Sequence, residues 1–450
     1  RRAARIHAAG GAPETPDPEE RTGKASTAAD FIEGTSHVTW PPSAADFARL
    51  RDSLAWVAEH SPYYGRVFAA AGVRPADLST YDYFRTRVPR TEKTELAANQ
   101  RADPPFGEFL AVPREEIASL HTSPGPIYIP RLAEERGGTP VLVEAIAAMG
   151  VRPREVVHVT LSYHVMPGGL RLHRAFEEHG CLVINGGTGA SRLQVQIAHD
   201  YRATVYAGTP SFLANLADTA REMRLPLAYR VGFSTAEALT PALRQRLRSA
   251  IGIELFDHIG EAQIGPVAGE CRVHEGMHLH ARDLFCEFLD PESGAPSGPG
   301  GVGELVATQL GRHALPLVRY APRDAYRLLS GACPCGNPAP RVAFVGQVGA
   351  IRKIKGVLVH PAQIHAVTSQ FPELGRFQVV VEHPAGERYE RALLRAGTVS
   401  APADPAALRR TLAERLKATV LVQMEVELVP EGDVPETAGP PTFSDAVVRR

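Results

Sequence analysis

HIGEAQIGPVAGECRVHEGMHLHARD (residues 258–283), followed by LFCEFLDPESGAPSGPGGVGELVATQLGRHALPLVRYAPRD (284–324) and CPCG (333–336), decides how this chain is read. Its thiols and imidazoles have the makings of a metal site: Cys271, one of His274, His278 or His280, then Cys333 and Cys335. Thiolate and imidazole ligands suit tetrahedral zinc, and four protein ligands leave no open position, so such a site is structural. A DPESG turn and the strand-like GELVAT lie between the ligands, so the metal would tie a turn-rich segment to a sheet. The plainer alternative is a pair of surface thiols near some histidines, because a lone C-x-C is a weak signal.

The same residues resemble the phenylacetate–CoA ligase family of adenylate-forming enzymes. Gly265-Pro266, Glu270-Cys271, the Gly-Met-His ending at His278, Asp290–Gly294, Gly303–Thr308, Pro316–Tyr320, Asp324 and CPCG follow the family's order of motifs. The resemblance runs from about Leu50 to the C-terminus. It implies an α/β protein, with a large N-terminal adenylate-forming-type domain of layered sheets and helices and a small C-terminal α+β lid domain. His278 falls on the family's G-x-H position, so the implied zinc ligands are Cys271, His278, Cys333 and Cys335, with Cys181 and Cys286 outside. A homodimer is also implied.

Outward from this stretch, strands alternate with amphipathic helices from about residue 118: EVVHVTL, GGLRLHRAFEEHG, CLVIN, SRLQVQIAHDY, ATVYAG, SFLANLADTAREM. That alternation argues for parallel strands with crossover helices. Upstream, FARLRDSLAWVAEHSPYYGRVFAAAGVRPADL has apolar residues at helical spacing and stops at Gly72 and Pro75. Residues 1–40, rich in Ala, Gly, Pro, Glu and Thr without apolar periodicity, read as a mobile arm. The expected organisation is therefore arm 1–40, large domain 41–345 and lid 346–450, the last in the order strand–helix–strand–strand–helix–strand.

Composition sets the outer bounds. At 450 residues, 44% hydrophobic and 22% charged, the chain is an ordinary globular one, long enough for two or three cores. The net charge of −1 and the lack of a basic block point away from nucleic acid and membrane surfaces. No apolar run reaches about 18 residues, so no membrane span is expected. The start, at Arg1, carries no signal-peptide pattern. Five cysteines, an odd number, suit a reducing cytoplasm with metal-bound thiols better than a disulfide frame.

The chemistry of the resemblance is carboxylate adenylation, which places a carboxylate oxygen on the α-phosphate of ATP. It needs backbone N–H groups around phosphate, a carboxylate for magnesium and a cation near the transferring phosphorus. The family's Ser-Ser-Gly-Thr-Thr-Gly-Lys-Pro loop corresponds here to Thr122-Ser123-Pro124-Gly125-Pro126, shorter by about three residues, and its two prolines lack N–H donors. Tyr-Gly-x-Thr-Glu becomes Ile259-Gly260-Glu261-Ala262-Gln263, and an amide is a poor ligand for a hard cation. The TGD triplet becomes Pro322-Arg323-Asp324, which keeps the ribose-holding Asp324. The hinge motif becomes Gly346-Gln347-Val348-Gly349-Ala350, and the α-phosphate lysine falls on Pro440. With these parts missing, ATP and Mg2+ are expected not to be used.

What the resemblance leaves is an acyl-binding pocket. Its implied wall is SYHVMPGG (Ser162–Gly169), giving Tyr163, Gly168 and Gly169, together with Thr209-Pro210-Ser211, Glu237 and Asp324. His164 stands where the family has glycine, and His258 opens the altered magnesium motif with Glu261 behind it. An imidazole of near-neutral pKa at either place would serve as general base for attack on a thioester. The expectation is therefore ATP-independent acyl transfer or condensation on a small pre-activated aryl or acyl substrate, carried by CoA or by a carrier protein. The alternatives are a divergent aryl-acid:CoA ligase, and a catalytically silent heterodimer partner of an active ligase.

Overall fold

The computed structural model describes residues 44–123, 127–136, 140–348, 352–354, 357–359, 361–382, 391–420, 422–435 and 447–449. The expected arm, Pro124–Pro126 of the shortened loop, Gly349-Ala350 of the hinge motif and Pro440 lie outside the described residues.

Five short strands run parallel, in the order Leu182–Asn185, Val156–Val159, Val205–Gly208, Val231–Thr235, Glu254–Glu261. Alternation along them feeds two cores. Val157, Val205, Phe233 and Phe256 pack with Leu142, Ile146, Leu172 and Phe176 from the helices Pro140–Ala148 and Pro167–Glu178. Tyr206 and Leu255 point the other way, onto Val195, Leu213, Leu216 and Leu247 of the helices Ser191–Asp200, Pro210–Met223 and Pro241–Ile251. The result is a doubly wound α/β layer. The chain steps outward once, then hops back across Val156–Val159, so the strand order reverses beside that strand. The carboxyl ends of the strands at such a reversal are where α/β folds place ligands.

Beyond Glu254–Glu261 the sheet turns antiparallel. Gly265–Glu270, Met277–Leu279, Arg341–Gln347, Asp324–Leu329 and Val302–Gln309 follow in turn, to make a sheet of 13 strands among the described residues. Leu284–Leu289 pairs with Val302–Gln309 over six residue pairs, and all six of its residues are buried. The N-terminal helical stretch is two helices rather than one, Ala44–His60 and Pro62–Ala70. Pro62 starts the second at its first position, where a missing N–H costs nothing. The helix Lys93–Ala102 meets the turn at Pro105-Phe106-Gly107 through Asn99, whose Oδ1 accepts the backbone N–H of Glu108 at 2.8 Å. A Cβ on Gly107 would sit 1.9 Å from that oxygen, and its φ of +61° also favours glycine.

The described residues from Pro361 onward form a sheet of their own, in the order Glu425–Pro430, Arg391–Thr398, Leu374–Glu382, Val447–Arg449, covered by the helices Pro361–Thr368 and Pro405–Val420. Leu408, Leu412, Leu416 and Val420, at the 3–4 spacing of one helix face, close its core against Val379, Leu394 and Ala396. From Val357 to Pro430 the element order is the strand–helix–strand–strand–helix–strand expected from sequence.

Candidate functional site

A cavity of about 170 Å³ lies at the carboxyl ends of the parallel strands, against the start of the helix Pro167–Glu178. Leu142, Leu161, Met166, Leu172, Phe233 and Ile259 give it an apolar body, and Arg171, His258, Glu261 and His280 give it polar edges. An apolar cavity of about 150 Å³ accommodates benzene, so this one is the size of an aryl group. Gly168 lines it, while Gly169 is a packing residue: a Cβ there would stand 2.3 Å from the Ser162 carbonyl oxygen.

His258 is buried in the wall, stacked on Phe233 with ring centroids 3.7 Å apart. Its Nδ1–H donates to the Phe256 carbonyl at 3.1 Å, which leaves Nε2 as an acceptor with no protein partner. Burial, and then the neighbouring His280, push its pKa down to about 3. The expected near-neutral base is therefore corrected: desolvation keeps this imidazole uncharged and a poor proton acceptor at neutral pH. His280 is the wall residue that sequence reasoning treated only as a metal candidate. The residue is partly exposed, but its Nε2 is buried without a partner, and desolvation lowers its pKa to about 4. Both Nε2 atoms crowd Gly269, where a Cβ would meet them at 2.8 and 3.3 Å. An invisible cross-strand register, His258 opposite Gly269 and Gly269 opposite His278, brings them there.

Glu261 also lines the cavity, with Lys93 Nζ on Oε1 at 3.0 Å and the Gln263 backbone N–H on Oε2 at 2.6 Å. Asp324 lies near it, and burial followed by the Glu261 charge raises the Asp324 pKa to about 6. The other expected residues stand apart. His164 is exposed and off the cavity wall, because the loop Ser162–Met166 turns inward only at Met166 and Pro167. Tyr163 is directed to His173, its hydroxyl 3.2 Å from Nδ1. Thr209, Pro210 and Ser211 begin a helix: Thr209 Oγ1 caps it by accepting the Phe212 N–H, Pro210 takes the first position, and Ser211 N–H donates to Glu237 Oε2 at 3.3 Å. These four residues meet one another at that helix start, outside the cavity lining.

At the far side of the sheet, the ligand atoms of Cys271, His278, Cys333 and Cys335 lie within 4.8 Å of one another. They come from the ends of neighbouring strands and the loop before Arg341–Gln347. Cys271 and Cys333 sulfurs are 3.6 Å apart, and Cys335 Sγ is 3.3 Å from His278 Nε2. Zinc–sulfur bonds of about 2.3 Å at tetrahedral angles separate two sulfurs by about 3.8 Å, so the donor set fits zinc. The His278 Nδ1–H donates to the Ala339 carbonyl at 3.0 Å, which presents the Nε2 lone pair to the thiols. His274 is instead held by Glu270 and Glu254, at 3.0 and 3.2 Å. Cys286 is in the core and Cys181 lies apart, with Sγ 3.8 Å from the Arg152 carbonyl.

Residues 356–440 match the C-terminal domain of AMP-binding enzymes. The phenylacetate–coenzyme A ligase of Thermus thermophilus is 32% identical over 421 residues, which cover 87% of this chain and 93% of that one. The chain belongs to the phenylacetate–coenzyme A ligase family. Another phenylacetate–coenzyme A ligase, from Pseudomonas putida, is 34% identical over 338 residues, 72% of this chain and 75% of its own. Among solved structures, the open conformation of 2-hydroxyisobutyryl-CoA ligase in complex with 2-HIB-AMP and CoA matches at a TM-score of 0.80, with 25% identity and 90% of both chains covered. The fold is thus that of adenylate-forming enzymes with their C-terminal domain. These phenylacetate–CoA ligase relatives give no support to the expected loss of ATP and Mg2+ use. No helix among the described residues is long and apolar enough to cross a membrane.

Proposed function

We propose that this protein is an aryl-acid:CoA ligase, in which the acyl group fills the apolar cavity and its carboxylate lies at the polar edge, where Arg171 lines the cavity and Lys93 is held on Glu261. The observation that carries this is an aryl-sized cavity at the carboxyl ends of the parallel strands, in a chain of this family. In such a reaction the carboxylate oxygen attacks the α-phosphorus of ATP and releases pyrophosphate; the CoA thiolate then forms the thioester and releases AMP. This chain's own contribution is legible at the acyl end. Phe233, Leu172 and Leu142 exclude water from the ring, and Lys93, held on Glu261, offers a cation near the carboxylate. His258 and His280 stay neutral and shape the wall.

A second reading, acyl transfer to or from a pre-activated thioester without ATP, is favoured by Gln263, an amide where magnesium-binding members carry Glu. The deciding experiment supplies ATP, Mg2+, CoA and a panel of aryl acids and follows pyrophosphate. Release that depends on the acid supports the ligase. Background release, with turnover of an aryl thioester, transfers the function to the second reading. Zinc held by Cys271, His278, Cys333 and Cys335 belongs to the same proposal. It would supply a cross-link between strand ends and no reactivity, because no coordination position stays open.

A further inference from the structure

Two imidazole corners in the cavity wall are left without partners. His258 and His280 both line the cavity, and the Nε2 atom of each is buried with no hydrogen bond among the described residues. His258 belongs to the strand Glu254–Glu261 and His280 follows the strand Met277–Leu279, with Gly265–Glu270 between them in the sheet. Gly269 of that middle strand carries no side chain to hold the rings apart: a Cβ there would stand 2.8 Å from one Nε2 and 3.3 Å from the other. The His258 ring is not free to turn toward a partner. It is stacked on Phe233, and its Nδ1–H is committed to the Phe256 carbonyl of its own strand, which directs the Nε2 lone pair away from that strand. No hydrogen bond among the described residues fixes the tautomer of His280, so its Nε2 can accept or donate. A buried acceptor without a donor carries its full desolvation cost, and the apolar wall of Leu142, Leu161, Leu172 and Phe233 supplies no donor.

We infer that His258 and His280 form a specificity subsite for a hydroxyl group on the ring of the acyl ligand, so that the preferred substrate is a hydroxyaryl acid. The inference deepens the ligase reading and rests on the cavity being the acyl pocket. A hydroxyl suits the pair because it donates one hydrogen bond and accepts others: it gives its proton to the His258 lone pair and meets His280 in either tautomer. A ring carboxylate has no proton to give at neutral pH and would set its charge against that lone pair. An unsubstituted ring leaves both corners unsatisfied. Pockets that hydrogen-bond a substrate hydroxyl discriminate strongly against the analogue that lacks it, because their own buried polar groups are then left unpaired.

Titration calorimetry on the full chain tests this with phenylacetate, its ring-hydroxylated isomers and the corresponding aminophenylacetates, using wild type, His258→Phe and His280→Phe. At least one hydroxy isomer should bind the wild type about 10- to 100-fold more tightly than phenylacetate does. His258→Phe keeps a flat ring against Phe233 and removes the acceptor, so the two affinities should come within about twofold of each other. His280→Phe should lower the preference in part. The wild-type comparison needs no variant, so it decides even where replacing a buried ring prevents folding. Equal affinity for phenylacetate and every hydroxy isomer would overturn the subsite, leave the acyl cavity standing and give the two corners to a bridging water. A hydroxyl preference that survives both Phe variants would overturn it as well, by placing the hydroxyl elsewhere. A gain confined to the amino isomers would overturn the hydroxyl assignment. If no aryl acid binds at all, the acyl reading fails and the subsite fails with it.

Discussion

With its side-chain amide assigned in the orientation that satisfies both neighbours, Gln263 bridges Ser123 and Glu261: its oxygen accepts the Ser123 hydroxyl at 2.8 Å and its nitrogen donates to Glu261 Oε1 at 2.7 Å. Both Gln263 and Ser123 are buried. Gln263 is therefore committed to joining Ser123, at the end of the strand Ile117–Thr122, to a carboxylate in the cavity wall. Gln263→Glu would set a second carboxylate against Glu261. Burial and like charge raise its folded pKa, so the penalty is absent below the unfolded value of about 4.3 and grows as pH rises toward the folded one. The expected loss at neutral pH is about 1–3 kcal/mol, shrinking at pH 4, by urea unfolding. A loss that is the same at both pH values would show that the new carboxylate does not feel Glu261.

The thiol cluster makes a prediction about metal. Cys333→Ser should remove zinc from a site that otherwise holds one ion per chain, and stability should fall with it, on the order of 4 kcal/mol, in the range seen when structural metals are lost. Elemental analysis and thermal unfolding check both. Full zinc retention in the variant would count against the ligand set.

Arg319 and Glu287 form a buried pair, with Nε 2.9 Å from Oε2 and Nη2 3.1 Å from Oε1, and Arg319 Nη1 also donates to the carbonyls of Arg85 and Val88. The pair ties the helix Tyr81–Arg87 to the sheet. Glu287→Ala strands a buried guanidinium and should cost about 3–5 kcal/mol. The double variant with Arg319→Met should recover much of this, and denaturant midpoints will tell the two cases apart.

His164→Ala should leave turnover within about twofold, because the side chain is exposed and away from the cavity wall. A general base would cost about 10²–10⁴ in rate. Steady-state kinetics with the best aryl acid or thioester decides, and a loss of that size would return His164 to the chemistry.

His158 is buried with its Nδ1 2.6 Å from the Tyr229 hydroxyl, and burial pushes its pKa down to about 4. A base with a depressed folded pKa stabilises the fold above its unfolded value near 6.5, and that contribution is lost as pH falls through about 4. It amounts to about 3 kcal/mol by the usual conversion. Asp257, raised to about 7 by burial and the Glu270 charge, acts in the opposite sense, so the wild-type slope alone is uninformative. The difference between wild type and His158→Asn should grow from pH 4 to pH 7. A difference that stays flat across that window would remove the histidine from the acid response.

Sequence by itself determined the α/β alternation, the order of the family's motifs and the candidate metal ligands, because periodicity, turn residues and cysteine spacing express local preferences. It left three histidines eligible for the thiols. Only the antiparallel register, Met277 opposite Glu270 and opposite Val342, turned His278 toward Cys335 and left His280 in the cavity wall. The residues implied as catalytic or substrate-binding divided in the same way. Gly168, His258 and Glu261 reach the cavity, while Thr209, Pro210, Ser211 and Glu237 are spent on a helix start and His164 faces solvent. Proximity across the chain and the desolvation that follows from it arise only when the layers pack. That is why His258 could be found in the sequence and its charge state could not.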